Sequence, residues 1–119
     1  MQYMLLIYND PGVWTSMSEA EQGAVYAGYG AFTEELRASG KMLAGDALQE
    51  TSTATSVRVR NGETLTTDGP FAETKEVLGG YYLIDVESLD EALEWGAKIP
   101  GATYGTIEVR PVVTDYEAM

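Results

Sequence analysis

Residues 79–101, GGYYLIDVESLDEALEWGAKIPG, decide the fold of this chain. Gly79-Gly80 opens a short run, Tyr81 to Val86, that is apolar at both alternate sets of positions. Such a run reads as a strand buried on both faces. Ser88-Leu89-Asp90-Glu91 follows with capping-box spacing, in which a Ser oxygen takes an orphan N–H and a Glu three residues on reaches back. Leu89, Ala92, Leu93, Gly96 and Ala97 then form one predicted helix face, and Pro100-Gly101 stops it. Trp95 on this helix is expected to shield the sheet. The predicted last strand runs from Thr106 to Val112, with Pro111 marking an edge or an exit.

The same pattern stands at the start of the chain. Tyr3 to Tyr8 (YMLLIY) is apolar at both alternate sets and is bounded by Asn9-Asp10-Pro11-Gly12. Ser18-Glu19-Ala20-Glu21 is a second capping box. Val25, Tyr29, Phe32 and Leu36 recur behind it at helical spacing, and Gly40 is placed as a C-terminal cap. The spacing predicts a helix from about Ser18 to Ala38, followed by a strand over Lys41 to Leu48. Between the two units, Val57 to Arg60 and Glu63 to Thr67 flank Asn61-Gly62. Asn-Gly between alternating runs is the strongest short hairpin signal, because both turn residues need φ > 0. The reading is an α+β, ferredoxin-like βαβ repeat with an inserted hairpin, both helices on one face of an antiparallel sheet, in one domain spanning 1–119. Two helices cover only one face of such a sheet. The other face would expose Met, Leu and Tyr together, and a second copy of the sheet is its simplest cover, so a homodimer is expected.

Composition bounds the chemistry. The 119 residues suit one domain with a real core. The chain has no Cys and no His. Disulfides, thiolate sites, Ser-His-Asp, Cys-His and His-metal chemistry are excluded, and the lack of Cys fits a reducing cytoplasm. Seven Lys and Arg stand against nineteen Asp and Glu, a formal charge of −12. Such a chain repels phosphate backbones and anionic membranes, so neither nucleic acid nor membrane is an expected partner. The apolar start is too short to span a bilayer and lacks a basic flank, so neither a signal nor a transmembrane segment is expected. No spacing of a calcium loop or a phosphate loop is present, and no metal or cofactor is expected.

YMLLIY, YGAFTEELRASG, DGPFAETKE and LGGYYLIDV together resemble the DGPF proteins of the YCII-related superfamily, over nearly the whole chain. The resemblance implies a dimeric α+β barrel of ferredoxin-like subunits. It implies little about activity, although some relatives are linked to sigma-factor transcription proteins, which suggests an accessory role there. Relatives of the YCII type carry a proposed catalytic His on the first helix, paired with an Asp after the second strand. The His position falls at or near Tyr29, and Asp46 stands in the corresponding AGDAL stretch. With no His here, Tyr29 is a hydrogen-bond donor or acid and a poor base, its ordinary pKa being near 10.

The stretch TTDGPFAETKE, residues 66–76, is about three times the length of a plain turn. Asp68, Gly69 and Pro70 make a turn with Phe71 plugging a gap, or the segment is a lip over a cleft, with Asp68 presenting a carboxylate and Phe71 walling a pocket. Glu73 and Lys75 are then a solvated charge pair or the polar edge of that site. Arg58 and Arg60 share a strand face, as a guard against edge pairing or as anion holders. Tyr8 and Tyr82, on the two central strands, suit an interface or a pocket wall, and Trp14 is placed to cover a pocket mouth. Two functions stand on these residues. One is a homodimer that binds a small molecule or a protein partner in a cleft near the DGPF loop. The other is a cofactor-independent enzyme in which Asp68 or Asp46, raised in pKa by burial, is acid or base with Tyr29 assisting.

Overall fold

A computed structural model describes residues 1–115. Its elements are β1 (Gln2–Asn9), α1 (Pro11–Ser16), α2 (Glu19–Ala38), β2 (Met42–Ala47), β3 (Thr55–Arg60), β4 (Glu63–Asp68), β5 (Val77–Asp85), α3 (Leu89–Lys98) and β6 (Thr106–Pro111). Four strands form one antiparallel sheet in the order β2-β5-β1-β6. With β3–β4 set aside as an inserted two-stranded sheet, this is the ferredoxin-like order expected of two βαβ units. The fold is α+β, and its two main helices share one face of the sheet.

Local chemistry sets the element boundaries. Ser18 accepts the Glu21 N–H, and the Glu21 carboxylate takes the Ser18 N–H, a complete capping box. Donation from Ser18 holds the Glu21 carboxyl below its usual range. The second box closes only halfway. Ser88 accepts the Glu91 N–H, but the Glu91 carboxylate turns to the Glu87 N–H and to Lys41. At the hairpin, Asn61 and Gly62 both have left-handed backbones, φ 53° and 76°, as a two-residue turn of this hand requires. Helix α1 is absent from the sequence reading, which took Asn9-Asp10-Pro11-Gly12 as the boundary of the first strand. Asp10 instead accepts the Gly12 N–H as an N-cap, with Pro11 in the first turn.

Tyr3, Leu5 and Ile7 of β1 and Tyr82 and Ile84 of β5 face the helices and are buried. Phe32 and Leu36 of α2 and Ala92 and Trp95 of α3 meet them in one cluster, with Trp95 and Tyr82 both packed edge-on against Phe32. The face predicted for α3 is rotated in the structure. Ala92, Trp95 and Gly96 are buried, whereas Leu89 and Leu93 are each 47% exposed. The Trp95 ring, the largest apolar surface on the helix, takes the sheet side, and counting Leu and Ala alone selected the neighbouring stripe. On the other sheet face, Met4 lies opposite Leu83 and Leu6 opposite Tyr81, all half-buried, with no helix of the described residues over them.

Candidate functional site

The N-terminal half of α2 does not close onto the sheet. Val25 and Tyr29, which recur at helical spacing with Phe32 and Leu36, are only half-buried and border a cavity of about 770 Å³. Its floor is the β2–β5 edge of the sheet, its wall is α2, and α1 and residues 48–52 close its end. Gln22 ties α1 to α2 through a 2.9 Å bond from its amide nitrogen to the Trp14 carbonyl. Trp14 then lies edge-on to Tyr26, ring centres 5.2 Å apart, at the cavity wall.

Along α2, Tyr29, Thr33 and Arg37 stand four residues apart and so point the same way, into the cavity. Thr33 and Tyr82 share a 2.7 Å hydroxyl–hydroxyl bond. Gly45, opposite Tyr82, makes room for this. A Cβ there would come within 2.8 Å of the Tyr82 ring. Burial pushes the Tyr29 phenol up to about 12, and the neighbouring Tyr104 and Tyr82 add to that, against the pull of the Gly101 backbone amide. Tyr29 therefore stays a neutral donor at physiological pH. Burial also raises the pKa of Tyr104, which borders the same cavity.

The sequence candidates are dispersed. Tyr29 and Tyr82 line the cavity. Asp46 borders it along β2, but its carboxylate accepts the Tyr81 hydroxyl at 2.8 Å. Tyr82 bonds α2, so its neighbour Tyr81 projects to the opposite face, and Asp46 is committed there. That bond to Asp46 raises the Tyr81 pKa. Tyr8 alternates with buried Ile7 and so also points to the open face. Asp68 ends β4, and among the described residues no hydrogen bond reaches its carboxylate. Phe71 is 79% exposed, so it fills no gap in its own chain. Glu73 and Lys75 are exposed in the same loop. Arg58 lies across from Leu65 on the hairpin. None of Asp68, Phe71, Glu73, Lys75 and Arg58 lines the cavity. The loop is fixed at its start, where the Gly69 N–H bonds the Ala54 carbonyl at 2.7 Å and Ser56 donates to the Gly69 carbonyl at 2.9 Å. It leads directly into the Val77–Gly80 rim of the cavity. Thr33 and Arg37 escaped the sequence reading. Their signal was a polar stripe at four-residue spacing from Tyr29, beside the apolar one.

Among the described residues no group of three or more Asp or Glu side chains is placed to hold a metal ion. No helix among them is long and apolar enough to cross a membrane.

Residues 1–114 match the YCII-related domain. The chain belongs to the YCII-related family. An uncharacterised protein of Rhizobium meliloti is 41% identical to this YCII-related chain over 114 residues, 94% of the chain and 92% of the relative. The 5-chloro-2-hydroxyhydroquinone dehydrochlorinase of Burkholderia phenoliruptrix, solved in complex with 2,5-dihydroxybenzoquinone, superposes with a TM-score of 0.58 at 18% identity, over 98% of both chains. At that identity the likeness is one of fold.

Proposed function

We propose that this YCII-related protein binds a small ring-bearing molecule in the cavity beneath α2, as a cytoplasmic homodimer. The carrying observation is the cavity itself. Protein interiors are close-packed, yet about 770 Å³ stays open beside a filled core, within the roughly 300–1,000 Å³ typical of small-molecule sites. Its walls combine aromatic rings with convergent hydroxyls from Tyr29, Thr33 and Tyr82. The homodimer reading rests on the uncovered Met4, Leu6, Tyr81 and Leu83 face. It also rests on shape. The radius of gyration is 16.5 Å, against roughly 13–14 Å for a compact chain of this length. In a dimer the loop at Asp68 and Phe71 would rim a cleft between subunits, outside the cavity of its own chain. Light scattering should give twice the chain mass at micromolar concentration, and a monomer would remove this part.

The cofactor-independent enzyme is the second reading, and one observation favours it. Tyr29 keeps its proton and lies in the cavity, where it would donate to an oxygen of a bound substrate. A dehydrochlorinase of the same fold, solved with 2,5-dihydroxybenzoquinone, is compatible with the enzyme reading. Here Tyr29 carries the role, because Asp46 faces the opposite side and Asp68 is exposed.

A thermal-shift screen of ring-bearing fragments on wild type, Tyr29→Phe and Asp68→Asn tests the site. Hits that stabilise wild type and Asp68→Asn but not Tyr29→Phe are expected. Hits abolished by Asp68→Asn and kept by Tyr29→Phe would move the site to the loop. Turnover of a hit by wild type and not by Tyr29→Phe would decide for the enzyme.

A further inference from the structure

Charge is divided along the cavity. Arg37 is the one cation among its lining residues, and it makes no ion pair among the described residues. Lys41, Lys98 and Arg110 are each held by a Glu, whereas the other cations without an ion pair among the described residues, Arg58, Arg60 and Lys75, lie outside the cavity. Of the two acidic residues that border the cavity, Asp46 turns its carboxylate to the opposite sheet face, and Glu50 lies in the loop beyond β2. Position follows from the fold. Thr33 meets Tyr82, and Arg37 lies one turn further on, toward the turn that leads into Met42. Asp46 lies four residues along β2 from Met42, roughly 13 Å away. Asp46 is bonded to Tyr81, and Glu50 accepts Thr53 at its carbonyl in the loop beyond.

Resting on the cavity reading above, we infer that the ligand is a ring-bearing anion whose carboxylate or ring-borne oxyanion is held by Arg37. A free guanidinium is a planar, bidentate donor matched to such groups. The hydroxyls of Thr33 and Tyr82 lie beside it, so the anion meets a cluster of donors. The ring is then directed along the cavity toward Tyr29 and the Trp14–Tyr26 pair. Glu50, which borders the cavity beyond β2, disfavours the reversed orientation by like-charge repulsion, which gives the site polarity as well as affinity.

Titration calorimetry with 4-hydroxybenzoate and its neutral counterpart 4-hydroxybenzamide tests this at low salt. Wild type should prefer the acid by about tenfold, the scale of one charged hydrogen-bonded pair. Arg37→Gln should abolish that preference at an unchanged melting temperature, since the side chain is exposed. Arg37→Lys should retain part of it, and Glu50→Gln should strengthen acid binding. Equal affinities for the two probes in wild type, or undiminished acid binding by Arg37→Gln, would overturn the anion assignment and leave the cavity reading intact. Neutral ring fragments binding while 4-hydroxybenzoate does not would have the same meaning. Failure of every ring compound, charged or neutral, to bind at millimolar concentration would remove both.

Discussion

The two βαβ halves of this chain use one plan and finish it differently. In the second half, α3 packs on the sheet through buried Ala92, Trp95 and Gly96, and a Cβ at Gly96 would make ordinary contact with Val109 of β6 at 3.5 Å. In the first half, α2 is twice as long, 20 residues against 10, yet only Phe32 and Leu36 of it are buried. Its C-terminal turns anchor the helix, and its N-terminal turns stand over the cavity. A repeated architecture thus closes over one half of the sheet and leaves a cavity over the other. The closed half and the α2 anchor carry the packed core, and the open half borders the cavity.

That contrast can be broken most directly at the anchor. Leu36 is fully buried, and Leu36→Ala should cost roughly 2–5 kcal/mol by leaving a cavity in packed surroundings. Urea denaturation measures this, and a loss below about 1 kcal/mol would mean that α2 is loosely held throughout. Added bulk is the converse probe. Ala92→Leu, at a residue with no exposed surface, should cost roughly 1–3 kcal/mol by overpacking. Val25→Leu extends into open space and should stay within about 0.5 kcal/mol. Equal costs at the two positions would erase the distinction between the halves.

The ion pair between Lys41 and Glu91 ties the entry of β2 to α3 and so links the halves. Lys41, then the Glu87 backbone N–H, hold the Glu91 carboxyl below its ordinary 4.5. A depressed carboxylate stabilises the fold fully above its unfolded pKa, and that contribution is lost as pH falls through the lower folded value. Thermal melts should therefore show wild type ahead of Glu91→Gln at pH 7, with the gap narrowing below pH 4.5. A gap that widens on acidification would reverse the assignment. The smallest effect is expected at the exposed Phe71. Phe71→Ala should change the stability of the isolated subunit by no more than about 0.5 kcal/mol. In a dimer any larger loss would depend on protein concentration, which chemical denaturation over a concentration series reads directly.

What the sequence made legible follows the same division. Local signals were read well where one residue type satisfies one backbone need, as at Ser18 with Glu21 and at Asn61-Gly62. Apolar residues at both alternate sets of positions identified both central strands, because burial on the helix side and half-burial on the other favour apolar residues on both faces. The site was less legible. Helical spacing of Val25, Tyr29, Phe32 and Leu36 marks a face, but it does not say where along its length that face touches the sheet. Whether a gap opens there depends on α1 and residues 48–52, which hold the cavity end apart and carry no motif. The DGPF stretch drew attention by its length, and the structure keeps it out of the cavity's lining, with Val77–Gly80 beyond it at the rim.

An amide chemical-shift map with a fragment that stabilises the wild type tests the division most directly. Thr33, Gly45, Gly79 and Tyr82, all bordering the cavity, should shift, with Ala92, Gly96 and Ala97 of α3 unmoved. Shifts confined to α3 or to residues 66–76, with the α2 amides unmoved, would contradict a binding site in the open half.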